Sequence, residues 1–175
     1  MIPIISYGTE KKHGESIKQL KRSCETFGYP HRLVTIPDEF FIEDRFKYLY
    51  KPTWIREMLE ELKTPVIWMD ADSYLTGVPA LDGIDFDEVD FGYVRSPAGS
   101  HKWIADSCHV HTLSNIPFLR QWEAYCLEEK GISDHTQLIR TLDLFMKKGF
   151  NTFDVSTCFK GCYIRNYKTY EEIQY

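Results

Sequence analysis

Two aspartates separated by one residue, Asp70 and Asp72, directly follow the apolar run Val66–Met69. In an extended chain, side chains two positions apart project to the same side, so both carboxylates can reach one cation while Ala71 points away. Carboxylate oxygens are ligands that Mg²⁺ and Mn²⁺ prefer, and these ions keep further positions for water and phosphate oxygens. The spacing predicts a site for Mn²⁺ or Mg²⁺ that also contacts a diphosphate. The same spacing also fits a solvated turn at the end of a strand.

Alternating strands and helices surround this motif. The short apolar runs Ile2–Tyr7 and His31–Ile36 predict two strands, and Val66–Met69 predicts a third. Apolar residues at helical spacing predict a helix over Glu15–Phe27 and a second helix that begins at Pro52. The chain therefore opens in the order β-α-β-α-β, and the two aspartates follow the third strand.

Later segments continue the alternation. Gly28 is predicted to end the first helix and Gly149 the last, and Ser133 is the predicted N-cap of that last helix. We expect an α/β fold in which one domain spans residues 1–175, a sandwich with a mostly parallel central sheet flanked by helices. In such folds, functional groups gather at the carboxyl ends of the strands. The remaining predicted strands are Val89–Val94, Ser107–Leu113, Phe150–Val155 and Cys162–Ile164, and the remaining helices are Pro117–Lys130 and Asp134–Lys148.

Composition narrows the classes of function. Of the 175 residues, 43% are hydrophobic, and 26 acidic against 21 basic residues give a formal charge of -5. This charge argues against bulk nucleic-acid binding, which depends on neutralising phosphates with Lys and Arg. The sequence has no run of about 18 apolar residues and no basic leader segment, so we expect a soluble, cytoplasmic protein without a membrane span. Its five cysteines form no Cys-x-x-Cys pair and are expected to be reduced thiols.

A known family carries the same motif in the same position. The chain resembles GT-A-fold glycosyltransferases, the nucleotide-diphospho-sugar transferase superfamily, from Lys51-Pro52-Thr53-Trp54 through Trp68-Met69-Asp70-Ala71-Asp72. The resemblance implies a GT-A-like, Rossmann-like sandwich that transfers a hexosyl or pentosyl group from a nucleoside-diphosphate sugar to an unidentified acceptor. A UDP-sugar is the favoured donor. The likeness continues in the same order along nearly the whole chain, at Asp106-Ser107-Cys108, Arg120-Gln121-Trp122 and Ser133-Asp134-His135.

The resemblance assigns roles to residues near the donor nucleotide. It makes Asp72 the direct metal ligand and Asp70 a ligand of the ribose or, through water, of the metal. Ser6 and Tyr7, at the predicted end of the first strand, would contact the base and the ribose. Lys51 would face the diphosphate and is a candidate catalytic residue, because a cation offsets the charge that develops on the leaving group.

Further residues would lie near the transferred sugar. Ser107 would touch the sugar, and Asp134, the second candidate catalytic residue, would orient a hydroxyl, pair with a cation or act as general base. A carboxylate that caps its helix is the alternative for Asp134. His135, also expected at the donor, stands where the family usually has Gln. No His follows it to supply the third metal ligand of many members, so water and phosphate, or His109 or His111, would complete the site.

The same residues allow other interpretations. A catalytically inactive nucleotide-sugar-binding module of the same fold would account for the missing third ligand. Haloacid-dehalogenase-type phosphatases also use Asp-x-Asp after a strand, but they normally begin with that strand, whereas two strands and two helices precede it here. His109 and His111 lie on one face of a predicted strand and form a candidate zinc or iron site, although histidines in such positions also occur as core residues.

Overall fold

The computed structural model describes residues 1–41, 49–95, 104–128 and 132–165. None of the helices in these ranges combines the length and the apolar character that a membrane span requires. The strands are β1 (Ile4–Thr9), β2 (His31–Ile36), β3 (Val66–Met69), β4 (Ser73–Leu75), β5 (Phe91–Arg95), β6 (Ile104–His111), β7 (Thr152–Asp154) and β8 (Tyr163–Arg165). The helices are α1 (Glu10–Thr26), α2 (Lys51–Leu62), α3 (Ile116–Glu128) and α4 (Asp134–Met146).

Six strands form a central sheet in the order β2-β1-β3-β6-β5-β7. Strand β1 pairs in parallel with β2 and β3, and β5 pairs in parallel with β7. Strand β6 is antiparallel to both of its neighbours, β3 and β5. All strands of this sheet except β6 therefore run in one direction, which confirms the predicted mostly parallel sheet flanked by helices. A separate two-stranded sheet pairs β4 with β8.

Both faces of the central strand β3 are covered by helices. Val66 and Trp68 point to the face on which α2, α3 and α4 pack, and Ile67 and Met69 point to the face covered by α1. None of these four side chains is more than 2% exposed. A strand buried on both faces has to be apolar throughout, which explains the uninterrupted apolar run. Asp70 is the first residue beyond this double burial, so the chain becomes charged where the sheet ends.

The predicted helix ends are confirmed. The hydroxyl of Ser133 accepts a hydrogen bond from the N–H of Thr136 at 3.2 Å, as an N-cap does at the start of a helix. Gly28 and Gly149, which follow α1 and α4, both have a positive φ, at 62° and 82°. A residue in this left-handed region ends a helix.

Strand β1 ends later, and helix α1 begins earlier, than the sequence predicts. β1 runs to Thr9 rather than Tyr7, and α1 begins at Glu10 rather than Glu15. The first turn of α1 is charged, so the apolar spacing on which the prediction depends does not extend to it. Nδ1 of His13 accepts a hydrogen bond from the N–H of Thr9 at 3.2 Å and thereby supports this start of the helix.

Other differences concern short strands and the ends of elements. Strand β5 is Phe91–Arg95 rather than Val89–Val94, β7 is Thr152–Asp154 rather than Phe150–Val155, and β8 is Tyr163–Arg165 rather than Cys162–Ile164. Helix α2 begins at Lys51 rather than Pro52, and α4 ends at Met146 rather than Lys148. The sequence does not predict strand β4, whose three residues pair with β8 from a distant part of the chain. Strand β6 begins at Ile104 rather than Ser107 and ends at His111 rather than Leu113. Lys130, the predicted last residue of α3, lies outside the described residues, which end for this helix at Glu128.

Candidate active site

Residues from one strand end and two helix starts meet at the carboxyl end of β3. Asp70 directly follows β3, Lys51 is the first residue of α2 and Asp134 is the first residue of α4. The Nζ atom of Lys51 lies 3.2 Å from Oδ1 of Asp70 and 3.1 Å from Oδ2 of Asp134. Their side chains are 8%, 14% and 12% exposed, respectively. We call Lys51, Asp70 and Asp134 the lysine triad.

The lysine triad unites both candidate catalytic residues with the first aspartate of the Asp-x-Asp motif. Removing charged groups from water costs several kcal/mol for each ion, and close pairing with opposite charge offsets that cost. One ammonium and two carboxylates leave a formal charge of minus one, which favours binding of a further cation. The ammonium itself favours binding of a phosphate. Ser133, and not Asp134, is the N-cap of α4, so the structure does not support the alternative role of Asp134 as the helix cap.

Two buried tryptophans hold the aspartates of the lysine triad. The indole N–H of Trp68 donates to Oδ1 of Asp70 at 2.9 Å, the same oxygen that Lys51 contacts. The Lys51 Nζ atom lies 5.3 Å from the centroid of the Trp68 ring, within the range of a cation–π contact. The indole N–H of Trp122 donates to the main-chain carbonyl of Asp134 at 3.0 Å and fixes the start of α4.

Trp68 is a residue of the site to which the sequence motif assigns no role. A signal for it existed, because Trp68 precedes Asp70 by two positions and therefore projects to the same side of the chain. Trp122 carried no such signal, since its partner is a main-chain carbonyl on another helix.

Tyr7 packs beside the lysine triad in an aromatic cluster. Its ring lies 5.5 Å from the ring of Trp68 and 6.2 Å from that of Trp54, measured between centroids. Burial raises the pKa of the Tyr7 hydroxyl well above its usual range, the ammonium of the triad opposes this shift, and the two carboxylates add to it. The phenol therefore stays protonated at neutral pH and is suited to donate a hydrogen bond.

Asp72 lies in a tight turn just beyond Asp70. The N–H of Ser73 donates to the carbonyl of Asp70 at 2.9 Å, which closes a four-residue turn before β4. The strand alternation from which both carboxylates were predicted to face one way ends at Met69, so it does not extend to Asp72. The assignment of a metal to Asp70 and Asp72 stays a prediction.

The donor set at this turn fits the predicted ions. Asp70 and Asp72 offer only carboxylate oxygens, and Mg²⁺ is commonly held by one or two carboxylates with water and phosphate oxygens in the remaining positions. Within the described ranges, no three His, Cys, Asp or Glu side chains form a group that could hold a metal. A metal bound here would accordingly take water and diphosphate oxygens as further ligands.

The turn that carries Asp72 packs directly against the end of β1. A Cβ atom added to Gly8 would lie 3.2 Å from Cβ of Ala71 and 2.6 Å from Cβ of His13. The absence of a side chain at Gly8 thus lets the turn and the first turn of α1 approach the strand. His13 has no predicted role, because the predicted helix begins at Glu15, whereas α1 begins at Glu10 and so includes His13 in its first turns.

Ser6 and Tyr7 lie on opposite faces of β1. Tyr7 shares the face of Trp68, whereas Ser6, with no exposed surface, points towards α1 by the alternation of the strand. Their side chains therefore do not adjoin one another. Contacts of both with the nucleotide stay predictions.

Ser107 and His135 lie beside the lysine triad. Ser107 is 3% exposed, and its main-chain carbonyl accepts a hydrogen bond from the N–H of Asp70 at 2.9 Å. The ring of His135 is hydrogen-bonded through Nε2 to the carbonyl of Ile104 at 3.0 Å, which ties the start of α4 to the start of β6. Both residues are placed next to the aspartates with which the resemblance grouped them, and their contacts with a sugar stay predictions.

His109 and His111 are core residues of β6. Neither has exposed surface, their ring centroids are 5.6 Å apart, and both rings pack against Phe91. The amide nitrogen of Asn115 donates to Nδ1 of His111 at 2.7 Å. Burial lowers the pKa of His111 well below its usual range, so its ring is neutral at pH 7. In the part of the chain that the structure describes, no third ligand accompanies them, and the zinc or iron alternative gains no support.

Comparison with known proteins gives the fold a name. No protein-family model and no curated protein sequence matches the chain. A solved glycosyltransferase involved in the glycosylation of the major capsid of PBCV-1 matches with a TM-score of 0.67 and 14% identity, over 87% of this chain and 80% of that one. The chain has a GT-A-like glycosyltransferase fold.

A second protein shares this GT-A-like fold. Glycosyltransferase GlyE of Streptococcus pneumoniae TIGR4, in two structures of which one is the apo form, matches with a TM-score of 0.58 and 14% identity. These matches cover 87% of this chain but only 44% and 45% of the GlyE chains. Likeness at this level of identity establishes the fold class that the Asp-x-Asp resemblance implied. The activity has to be argued from the site itself.

Proposed function

We propose that the chain is a glycosyltransferase that binds a nucleoside-diphosphate sugar through Mn²⁺ or Mg²⁺ at Asp70 and Asp72 and transfers the sugar to an acceptor. The lysine triad carries this proposal. In a GT-A-like fold, it places an ammonium and two carboxylates at the carboxyl end of a central strand, where folds of this class bind their ligands. A UDP-sugar is the favoured donor, and a hexosyl or a pentosyl group fits the proposal equally.

Lys51 would assist the departure of the nucleoside diphosphate. During transfer, the bond between the anomeric carbon and a diphosphate oxygen breaks, and negative charge grows on that oxygen. The Lys51 side chain is only 8% exposed, and an ammonium shielded from water stabilises nearby charge more strongly than an exposed one. Bound Mn²⁺ or Mg²⁺ would supply Lewis-acid stabilisation of the same charge.

Asp134 is suited to act on the acceptor. The new bond forms between the anomeric carbon and an acceptor oxygen, which must lose its proton, and a carboxylate can accept that proton or orient the hydroxyl. Lys51 holds Oδ2 of Asp134, and Trp122 holds the main chain of the same residue. The carboxylate is therefore oriented before a substrate arrives, which lowers the cost of reaching a reactive geometry.

The first test is ligand-dependent thermal stability of the wild type and Asp72→Asn. UDP, GDP, CDP and their sugars would each be added with and without Mn²⁺. A ligand present at about 100 times its Kd stabilises the native state by about 2.7 kcal/mol. We expect such a shift for one nucleotide in the wild type with Mn²⁺ and its loss in Asp72→Asn, because the amide keeps the shape of the side chain but lacks its charge. Asp87→Asn, an exposed residue outside the site, is the matched control.

The possible outcomes separate the proposal from its alternatives. Metal-dependent stabilisation that persists in Asp72→Asn would remove Asp72 as the ligand, and no stabilisation by any nucleotide in the wild type would refute the proposed donor site. Release of the nucleoside diphosphate from the stabilising sugar nucleotide would then establish turnover. Binding without any release or transfer would identify the inactive binding module.

A further inference from the structure

Trp68 contacts two of the three residues of the lysine triad. Its indole nitrogen lies 2.9 Å from Oδ1 of Asp70, and the centroid of its ring lies 5.3 Å from Nζ of Lys51, which stands over the ring. The same Oδ1 atom is 3.2 Å from that Nζ atom. One tryptophan thus contacts the aspartate and the lysine at the point where they contact each other.

The two donors on Oδ1 determine how the Asp70 carboxylate is turned. Trp68 is 2% exposed and the Lys51 side chain is 8% exposed, so Oδ1 is directed into the protein. A metal, a water or a ribose hydroxyl that reaches Asp70 would then meet a carboxylate whose orientation these two donors already set. Hydrogen-bonded partners of this kind set the orientation of ligating carboxylates.

Trp68 is itself firmly held. It pairs with Ile5 of β1 in a parallel ladder and with His109 of β6 in an antiparallel one, and its ring packs against Tyr7. Because the ring is buried in the core and packs against Tyr7, it cannot swing its N–H away from Asp70 without disturbing that packing. The indole therefore presents its donor before any ligand binds.

We infer that Trp68 is a positioning residue of the proposed donor site, whose N–H orients Asp70 and whose ring supports the Lys51 ammonium. The inference rests on the proposed function, because it concerns the binding of a nucleotide and a metal. A phenylalanine in this position would fill the same part of the strand and offer its ring to Lys51, but it would place no donor against Oδ1.

The test compares Trp68→Phe with Trp54→Phe. Trp54 belongs to the same aromatic cluster, and its indole N–H has no hydrogen-bond partner among the described residues, so Trp54→Phe is a matched control. The Kd for Mn²⁺ with UDP, GDP and CDP would be measured by titration calorimetry. Loss of such an outer partner typically weakens binding by about 10- to 100-fold. We expect a loss of this size in Trp68→Phe and close to wild-type affinity in Trp54→Phe.

A double-mutant cycle with Asp70→Ala, which removes the acceptor of the Trp68 N–H, distinguishes positioning from general damage. If Trp68 acts through the carboxylate, Trp68→Phe should weaken binding by less than about twofold when Asp70 is already replaced, because coupled residues are not additive. An equal loss in both backgrounds, or equal affinities of Trp68→Phe and Trp54→Phe, would overturn the inference and leave the proposed function standing. A wild type that binds none of the three nucleotides would instead refute the proposed function, and the inference with it.

A second replacement covers the case in which Trp68→Phe folds poorly. Benzothienylalanine at position 68 keeps the shape of the bicyclic ring and replaces the N–H by sulfur. Weakened binding in this variant, at an unchanged melting temperature, would support the positioning role. Wild-type affinity would overturn it.

Discussion

At the scale of single residues, Lys51 supplies the positive charge of the lysine triad. Its ammonium lies between two carboxylates that are themselves largely shielded from water. Breaking a buried ion pair by removing one partner is costly, because the remaining charge is left without compensation. The lysine thus has a structural effect that is separate from its proposed contact with the diphosphate.

We predict that Lys51→Met lowers the free energy of unfolding by about 3–5 kcal/mol, the usual cost of leaving a buried charge unpaired. Urea unfolding at pH 7 measures this change. The double variant Lys51→Met with Asp134→Asn should regain part of the loss, because it removes one of the two uncompensated carboxylates. A Lys51→Met protein as stable as the wild type would show that the triad is hydrated well enough for the pairing to matter little.

At the scale of elements, the turn after β3 depends on the close approach of three segments. The end of β1, the first turn of α1 and the turn at Ala71 meet at Gly8. The far end of the turn leads into β4, which pairs with β8 near the other end of the described chain. The turn with Asp72 is therefore held by β1 and α1 on one side and by the pairing of β4 with β8 on the other.

We predict that alanine has opposite effects on stability at Gly8 and at Gly14. In Gly8→Ala, the new Cβ would meet Cβ of His13 and Cβ of Ala71, neither of which is the end of a flexible side chain, so the segments must move apart. Overpacking of this kind costs about 1–3 kcal/mol. Gly14→Ala, inside α1 with open space around it, should stabilise the protein by about 0.5–1 kcal/mol because alanine favours a helix.

Thermal unfolding of both variants measures the two effects, and Mn²⁺-dependent nucleotide binding reports on the site. Gly8→Ala should also weaken that binding, since the displaced turn carries Asp72, whereas Gly14→Ala should leave it unchanged. Destabilisation by both substitutions would contradict the specific role assigned to the contact at Gly8.

At the scale of the whole molecule, the sheet buries polar groups as well as apolar ones. His111, at the end of β6, lies in the core against Phe91 of β5, and burial lowers its pKa well below the usual range. Above about pH 6.5 its ring is neutral in both the folded and the unfolded protein. Below that value the unfolded chain takes up a proton that the folded protein does not, so folding is disfavoured as the pH falls.

We therefore predict that His111 lowers the stability of the wild type by up to about 1.4 kcal/mol per pH unit below about pH 6.5. His111→Gln retains an acceptor for Asn115 but has no titrating ring. Urea unfolding measures the unfolding free energy of both proteins from pH 7 to pH 5. As the pH falls, the unfolding free energy of the wild type should decrease more than that of the variant. A difference that is constant with pH would show that His111 is not the group responsible.

Much of the architecture followed from local patterns in the sequence. Apolar spacing located all the central strands and helices to within a few residues, because periodicity and capping residues act over short distances along the chain. Boundaries were less accurate where a charged segment, such as the first turn of α1, enters a helix without contributing to its apolar face. The resemblance to GT-A-fold enzymes then named the fold, and it singled out Lys51, Asp70 and Asp134 as site residues.

Only the tertiary structure decided how these residues work together. The sequence by itself determined that two carboxylates follow a buried strand, that a lysine directly precedes a predicted helix and that a third carboxylate begins another. It did not determine that Lys51 contacts both Asp70 and Asp134, that Trp68 donates to the first of them, or that β6 runs against its neighbours. Strand order, strand direction and the meeting of helix starts depend on contacts between distant segments, and no local pattern encodes a distance between side chains.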